Sequence, residues 1–484
     1  MTGFRNRINL DVLVLPLTRV CPKSLRSSES DGYNSPSLVG FVSASEQNSE
    51  RLTRKRLIDP KLKEANWRIV LFKASVPLSE YDGCAIEEFE TANGPADYAL
   101  CVDGKIVGVV EAKKLTLGPQ SVLTQAERYC RGIANSPFNY RGFRVPFLYS
   151  TNGEIIWHHD IRHELSRSHT VTQFHTPHAL LERLQREFDT CCDTLKHTPN
   201  DHPRLREYQR EANAAIEGAI ANRKLQMLVA MATGTGKTFT MVNEVYRLMK
   251  SEVAKRILFL VDRRALAAQA VTAFASFEPE KARKFDQIYE VYSQRFQRGD
   301  LDEDQKYDPK VLPESYLTHP NASHAFVYVS TIQRMTINLL GRDAIFAAGD
   351  EELDEDATKL DIPIHAFDLV IADECHRGYT TSEAAIWRKT LDHFDAIKIG
   401  LTATPAAHTT AYFKDIVYRY EYRGWDSPGC RTKWSGHSPL HENSTKPCLV
   451  LCRFFENRPG TLRCSRQESY LGVGIGLRKR CYPR

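Results

Sequence analysis

The sequence predicts an α/β protein in which a block of short strands precedes a domain built around a parallel sheet. Over the second half of the chain, apolar runs of strand length alternate with helical segments, which is typical of parallel sheets. Before them, the turn residues Asp103 and Gly104 separate two apolar runs, as in a β-hairpin. The 484 residues allow two to four domains.

Composition and charge narrow the class of protein. Apolar residues make up 42% and charged residues 26% of the chain, so ordinary hydrophobic cores are expected. A net charge of +5 permits nucleic-acid binding without arguing for it. No apolar run reaches the ~18–20 residues of a membrane span, and residues 10–16 are too short for a secretory signal. We therefore expect a cytoplasmic protein, with no membrane partner, whose twelve cysteines are reduced.

A glycine-containing loop organises the parallel domain. It follows a strand predicted over 225–231 and precedes a helix predicted over 239–250. Backbone N–H groups of such a loop, together with a helix N-terminus, favour phosphate binding. The sequence therefore predicts ATP binding, with Lys237 neutralising the β/γ-phosphates and Thr238 ligating Mg²⁺. Met231 replaces the usual first glycine, and the alternative is a turn that binds nothing. The loop residues are Thr233, Gly234, Thr235, Gly236, Lys237 and Thr238.

Polar residues stand at the ends of the further predicted strands, where ligands of a doubly wound sheet gather. Asp373 and Glu374 follow one such apolar run. We expect Asp373 to hold Mg²⁺ and Glu374 to polarise the attacking water. Gln209, on a helix predicted over 205–221, is a candidate to read an adenine edge, and a solvated helix glutamine is the alternative. The further strands are predicted over 256–261, 325–331, 367–373 and 396–402, and segment 277–323 is expected to be charged and helical.

A second group of candidate catalytic residues lies in the strand-rich block. Asp97 begins one predicted strand, after a Gly94-Pro95 turn, and Glu111 and Lys113 close the next strand across the hairpin. Residues i and i+2 of a strand share a face, so Glu111 and Lys113 project together. The hairpin can bring Asp97 beside them, which would join two carboxylates and a lysine. Carboxylates of this kind hold Mg²⁺, which polarises a phosphodiester and activates water, while the lysine stabilises charge. The alternative is a surface hairpin of mixed charge.

Three further residues have roles that the sequence leaves open. Glu64, on the preceding helix, is a candidate for another carboxylate near the metal. Gln125 and Tyr129 lie four residues apart on a helix predicted over 122–133 and therefore share a face. They either point into the site or cap the fold.

The combination of these residues resembles two known families. The Asp97, Glu111 and Lys113 pattern is similar to that of PD-(D/E)xK nucleases. The phosphate loop, the Asp373-Glu374-Cys375-His376 box and the Thr402-Ala403-Thr404 segment resemble superfamily 2 helicases. Both together, over roughly residues 51–423, resemble the restriction (motor–nuclease) subunit of type I restriction enzymes.

The resemblance implies a function and additional site residues. It implies ATP-dependent translocation along double-stranded DNA and Mg²⁺-dependent cleavage of unmodified DNA, in a complex with modification (methyltransferase) and specificity subunits. Thr402 and Thr404 would couple hydrolysis to domain movement. The residues implied to touch the DNA backbone are Arg263, Arg264, Ser330 and Thr331.

The resemblance also implies domain boundaries. We expect a poorly ordered extension (1–50), a PD-(D/E)xK nuclease domain (51–170), a connector (171–203), one RecA-like helicase domain (204–423) and an irregular tail (424–484). The tail is rich in Cys, Pro, Arg, Ser and Trp and resembles a shifted reading frame. We therefore expect a truncated chain that binds ATP but does not translocate. The alternatives are a non-catalytic ATP/DNA-binding remnant and a stand-alone DNA-repair helicase–nuclease.

Overall fold

The computed structural model describes residues 51–113, 123–295, 310–346, 356–375 and 381–421. The predicted extension (1–50) and the predicted tail (424–484) lie outside these residues. The chain divides into the units Met1–Tyr418 and Arg419–Arg484, and nearly all described residues belong to the first. No described helix is long and apolar enough to cross a membrane.

The first sheet has seven strands arranged in sequence order. Asp103 and Gly104 both have positive φ between the third and fourth strands, which confirms the predicted hairpin. The Gly94-Pro95 turn is wrong, because both residues pair within the sheet, with Thr91 and Glu90. The strands are β1 (Arg68–Leu71), β2 (Cys84–Thr91), β3 (Gly94–Val102), β4 (Lys105–Ala112), β5 (Phe147–Thr151), β6 (Ile156–Asp160) and β7 (His169–Val171).

Both faces of this sheet are covered. Val110 packs in a cluster with Leu62 of helix α1 (Asp59–Glu64), whereas Val109 faces Ala126 of helix α2 (Leu123–Arg131) on the other side. Since successive strand residues point to opposite faces, β4 needs apolar residues at consecutive positions. This explains the continuous apolar run that the sequence shows there.

A helical connector leads from the first sheet to the second. It contains α3 (Pro177–Gln185) and α4 (Phe188–His197), and α5 (Glu207–Ala221) follows. The Thr176 hydroxyl caps α3 by accepting the Ala179 N–H. The predicted connector over 171–203 therefore contains two successive helices.

The second sheet has eight strands in the order β11-β10-β12-β9-β13-β14-β8-β15, and the pairs from β11 through to β8 are parallel. The five predicted strands are confirmed, with ends shifted by at most two residues. The strands are β8 (Gln226–Met231), β9 (Arg256–Val261), β10 (Glu290–Ser293), β11 (Lys310–Val311), β12 (Phe326–Thr331), β13 (Leu369–Ala372), β14 (Ile397–Thr402) and β15 (Ile416–Tyr420).

The prediction that segment 277–323 is helical is largely wrong. It supplies the edge strands β10 and β11, and its described α-helix is the short α8 (Glu314–Thr318). Four residues are too few for a period-two pattern to stand out, and β10 gains its hydrogen bonds from β12. The remaining helices are α6 (Lys237–Lys250), α7 (Arg264–Ser276), α9 (Ile332–Leu340), α10 (Arg342–Phe346), α11 (Thr381–His393) and α12 (Ala407–Phe413).

The strand order determines which loops meet. β14 lies between β13 and β8, with Ala372 paired to Gly400 and Thr402 paired to Ala230. The carboxyl ends of these three parallel strands therefore leave the sheet at one edge. The phosphate loop, the acidic pair and the Thr402–Thr404 segment all begin there.

We predict that Gly400→Ala destabilises the protein, because Gly400 is in close contact with helix α12. A Cβ there would lie 2.6 Å from the Phe413 ring and 2.9 Å from Leu228 Cδ1. Overpacking of this kind costs about 1–3 kcal/mol, measurable as a lower urea midpoint. Gly218→Ala is the matched control: a Cβ there meets nothing within 4 Å, and Ala in helix α5 stabilises by about 0.5–1 kcal/mol. Equal effects of both changes would contradict the packing argument.

Candidate active sites

The phosphate loop has the backbone conformation that its glycines permit. Gly234 and Gly236 both have φ of +79°, and Gly236 is the N-cap of the 14-residue helix α6. Thr235 is buried, and its hydroxyl donates to the Ala232 carbonyl oxygen at 2.7 Å. The loop therefore curls against the helix N-terminus, where phosphate oxygens are favoured.

Gln209 lies against this loop, and its amide is engaged by the protein. Its Nε2 donates to the Thr235 carbonyl oxygen at 2.9 Å, and its Oε1 accepts the Arg206 N–H at 2.9 Å. The Tyr208 hydroxyl donates to the same Thr235 oxygen at 2.9 Å. Gln209 is buried, unlike the solvated alternative. In this structure its amide positions the loop, and the predicted adenine contact requires the amide to exchange these bonds.

The acidic pair meets the loop lysine at the edge of the sheet. Lys237 Nζ lies 3.0 Å from Glu374 Oε1, and the Glu374 N–H donates to Asp373 Oδ1 at 2.9 Å. Burial, and then the neighbouring Glu374 carboxylate, raise the pKa of Asp373 to about 6, and the Lys237 ammonium opposes this rise. Glu374 has φ of +51°, a sharp turn directly after β13. The structure thus brings together the predicted phosphate-binding and water-polarising residues, while His376 lies outside the described residues.

The N-terminal hairpin brings its three candidate residues together as predicted. The register pairs Tyr98 with Val110, so that Asp97 and Glu111 come next to each other at the strand ends. Asp97 Oδ2 accepts the Ala112 N–H at 2.7 Å, and Lys113 Nζ lies 3.1 Å from Glu111 Oε1. Glu111 is buried. Two carboxylates and an ammonium group therefore share one corner of the sheet.

Both candidate sites lie in segments that match known families. Residues 202–407 match the family "Type III restriction enzyme, res subunit", and residues 64–184 match "Type I restriction enzyme EcoKI endonuclease subunit second domain". The chain is 31% identical over 431 residues to the type I restriction enzyme EcoKI endonuclease subunit of Escherichia coli K12, an alignment covering 76% of this chain and 34% of that protein.

The chain belongs to the endonuclease-subunit family of type I restriction enzymes.

A second relative and a solved structure complete the comparison. The EcoAI endonuclease subunit of Escherichia coli is 30% identical over 305 residues, covering 58% of this chain and 31% of that protein. A fragment structure of a putative HsdR subunit from Vibrio vulnificus YJ016 covers 77% of this chain and 59% of that one, at 22% identity and a TM-score of 0.28. The chain spans about a third of the length of the curated endonuclease subunits it matches.

In the present chain, the four residues that are expected to touch the DNA backbone differ in exposure. Arg263, the N-cap of α7, is 73% exposed, and Arg264 is half-buried. Ser330 and Thr331 are buried, and the Thr331 hydroxyl caps α9 by accepting the Arg334 N–H. The hydroxyls of Ser330 and Thr331 make hydrogen bonds within the protein. In this structure, only Arg263 and Arg264 of the four residues are accessible to DNA.

Gln294 is a buried residue of this edge that the sequence reasoning missed. Its Oε1 accepts both the backbone N–H and the hydroxyl of Thr331, each at 3.1 Å. Because it follows the unpredicted strand β10, no pattern in the sequence pointed to it. It fixes the end of β12 from the neighbouring strand.

The expected coupling residues sit directly beside the acidic pair. Thr402 is buried at the end of β14, and its hydroxyl accepts the Thr404 N–H at 3.1 Å. The Cys375 N–H donates to the Leu401 carbonyl oxygen at 3.1 Å. The segment after the acidic pair and the end of β14 are thus joined by a backbone hydrogen bond. A displacement of one would be transmitted to the other.

Arg54 is the second functional candidate that the sequence reasoning missed. Its Nη1 lies 2.9 Å from Asp97 Oδ1, and its Nη2 contacts Glu88. Burial raises the pKa of Asp97 to about 6, and the Arg54 guanidinium opposes the rise. The only signal in the sequence was the basic composition of the helical segment that contains it.

The three residues with open roles are now located. Glu64 is exposed at the end of α1, and the side chain that reaches Asp97 from this helical segment is Arg54. Gln125 Nε2 donates to the Tyr129 hydroxyl at 3.2 Å, which confirms that they share a helix face. The Tyr129 ring lies 3.4 Å from the position of a Cβ on Gly94, at the start of β3. The pair therefore packs over the strand that carries Asp97.

Both sites have donors that suit Mg²⁺. This ion prefers oxygen ligands, which Asp97 and Glu111 supply at the hairpin and Thr238 and Asp373 supply at the phosphate loop. Asp97 and Asp373 are carboxyls whose pKa is raised to about 6 by burial. A divalent cation would favour their ionised forms. The residues present therefore fit the ion that the predicted chemistry requires.

We predict that Mg²⁺ binding at the hairpin weakens as the pH falls through about 6. A raised pKa means that Asp97 holds a proton below pH 6, and the metal must displace it. The affinity should then fall by about tenfold per pH unit below the pKa and stay level above pH about 7. Calorimetric titration with Mg²⁺ from about pH 5 to pH 8 measures this. Asp97→Asn should remove the pH-dependent component, and equal affinity of the wild type at both ends would contradict the prediction.

Proposed function

We propose that this chain is the ATP-binding and DNA-cutting component of a type I restriction enzyme, in which ATP-driven translocation precedes Mg²⁺-dependent cleavage of unmodified double-stranded DNA. The observation that carries the proposal is the hydrogen bond that Asp97 Oδ2 accepts from the N–H of Ala112, the residue between Glu111 and Lys113. It joins two carboxylates and a lysine at one corner of a sheet. Family membership and the Lys237–Glu374 contact support the ATP-dependent part.

At the hairpin, the side chains would divide the work of phosphodiester hydrolysis. Asp97 and Glu111 would hold Mg²⁺, which when bound polarises the scissile phosphate and lowers the pKa of a water. Lys113, now 3.1 Å from Glu111, would orient that water and stabilise charge on the phosphate. Arg54 would leave Asp97 when the metal enters, because both need the same carboxylate.

At the phosphate loop, Lys237 would exchange its partner when ATP binds. The loop N–H groups and the Lys237 ammonium would bind the β/γ-phosphates, and Thr238 and Asp373 would hold Mg²⁺. Glu374, released from Lys237, would orient the water that attacks the γ-phosphate. Thr402 and Thr404, next to this pair, would pass the change to the rest of the motor domain.

The DNA path and the partners complete the proposal. Arg263 and Arg264, at the carboxyl end of β9, would bind DNA phosphates, which position a duplex without reading its sequence. Recognition of the sequence would belong to specificity and modification subunits, in the cytoplasm. We assign the nuclease to 51–170, the connector to 171–203 and the RecA-like domain to 204–423.

We predict that Asp97→Ala abolishes Mg²⁺-dependent nicking of supercoiled plasmid. Loss of a metal ligand should lower the rate at least ~100-fold. Glu64→Ala, which removes an exposed carboxylate from the adjoining helix, is the matched control and should cut like the wild type. Cutting that persists unchanged in Asp97→Ala would remove the site assignment. No cutting by the wild type, with nucleotide binding retained, would favour the non-catalytic alternative.

We predict that Lys237→Ala abolishes binding of a fluorescent ATP analogue, because the ammonium that neutralises the phosphates is lost. Lys250→Ala, at the exposed end of the same helix α6, is the control and should bind normally. Retained binding in Lys237→Ala would contradict the loop assignment. ATP turnover with duplex DNA is measured alongside, and DNA-stimulated turnover at ordinary enzyme rates would show that this chain couples ATP hydrolysis to DNA. Strand unwinding without partners would instead indicate the stand-alone repair enzyme.

A further inference from the structure

A buried group of two histidines and an aspartate lies where the N-terminal sheet meets the parallel sheet. His158 is on β6, His175 follows β7, and Asp395 precedes β14. One donor atom from each residue lies within 4.8 Å of the other two. His158 and His175 are fully buried, and the Asp395 side chain is 4% exposed. Neither proposed active site uses these residues.

The hydrogen bonds of the described residues leave the buried imidazole of His158 unsatisfied. Neither of its ring nitrogens has a hydrogen-bond partner among the described residues, although the side chain is wholly buried. A buried polar group without a hydrogen-bond partner destabilises the folded state. Such a group in a native core points to a partner that protein atoms do not supply.

The neighbouring groups are arranged as they are around a metal ligand. The Tyr149 hydroxyl lies 2.7 Å from His175 Nδ1, which fixes the ring and turns Nε2 toward Asp395 Oδ2 at 2.8 Å. Ligating histidines usually have such an outer partner on the second nitrogen. The His158 and His175 rings are 4.8 Å apart between centroids, so both can face one point.

The protonation states also suit ligation. Burial lowers the pKa of both imidazoles, that of His175 to about 4, so both are neutral near pH 7. Burial raises the pKa of the Asp395 carboxyl, but the Arg183 guanidinium and the contacts with His169 and His175 together outweigh burial and hold that pKa well below its usual range. Neutral imidazoles and an ionised carboxylate are the ligating forms.

We propose that His158, His175 and Asp395 bind a divalent transition-metal ion of the zinc class. Two imidazole nitrogens and one carboxylate oxygen are a zinc donor set, whereas Mg²⁺ prefers oxygen alone. The fourth ligand is a water or His169, whose Nε2 lies 2.7 Å from Asp395 Oδ1. Arg183 also donates to the Asp395 carbonyl oxygen at 2.9 Å, so it remains held when the carboxylate turns to the ion.

The bound ion would connect the two sheets. His158 and His175 belong to the N-terminal part, and Asp395 belongs to the parallel sheet, so one ion would cross-link residues 220 positions apart. Such a link stabilises the folded state by the free energy of binding. The proposal does not depend on nuclease or ATPase activity.

The test uses the full chain without a histidine tag, after removal of metals with a chelator. Cys448 and Cys452, a closely spaced pair of thiols that could bind zinc themselves, are replaced by Ser. Zn²⁺ is titrated by calorimetry, and Co²⁺ is followed by its visible absorption. We expect one ion per chain, a higher unfolding temperature, and nitrogen–oxygen rather than thiolate absorption bands. His158→Gln should weaken binding about 100-fold or more.

His365→Gln is the matched control, because His365 is buried at the same boundary but lies outside the group of donor atoms. It should bind the ion like the parent chain. Circular dichroism establishes that each variant is folded. Absence of stoichiometric binding, or equal binding in His158→Gln, would overturn the proposal, and so would loss of binding in His365→Gln alone.

Discussion

The contact between the Lys237 ammonium and the Glu374 carboxylate depends on a topological constraint that shapes the whole second half of the chain. The loop after β8 and the loop after β13 meet only because β14 separates the two strands by a single position. Parallel register brings all three carboxyl ends out at one edge. Insertion of another strand between β13 and β8 would move the lysine out of reach by a strand spacing of about 4.8 Å.

The two candidate sites share an electrostatic design. In each, an aspartate is buried enough to raise its pKa to about 6, and a protein cation opposes the rise: Arg54 at Asp97 and Lys237 at Asp373. A cation of the chain thus occupies part of the charge environment that a divalent ion would provide. Without such cations, two carboxylates at a strand end would repel each other and pay the cost of burial. Because each carboxylate already lies near a cationic side chain, a divalent ion could replace that side chain as its partner.

The sequence predicted those features that a short pattern specifies. The alternation of apolar runs identified five central strands, and strand periodicity placed Asp97 with Glu111 and Lys113. The sequence did not reveal the roles of Arg54, Gln294 or the group formed by His158, His175 and Asp395, because these roles depend on contacts between distant segments. The edge strands β10 and β11 escaped because they are short and take their hydrogen bonds from neighbours. Ser330 and Thr331 are expected to touch the DNA backbone, yet the chain buries them, since local sequence does not show which side of a strand end is covered.

The contact of His175 with Asp395 also bears on the order of folding during synthesis, because the two residues are made at different times. The N-terminal sheet closes its buried boundary with a carboxylate that lies 220 residues further along the chain. At a synthesis rate of about 5–20 residues per second, that carboxylate emerges roughly ten to forty seconds after the histidine. During this interval His175 and its neighbours lack their native partner. Completion of this buried boundary therefore requires synthesis of the segment that leads into β14.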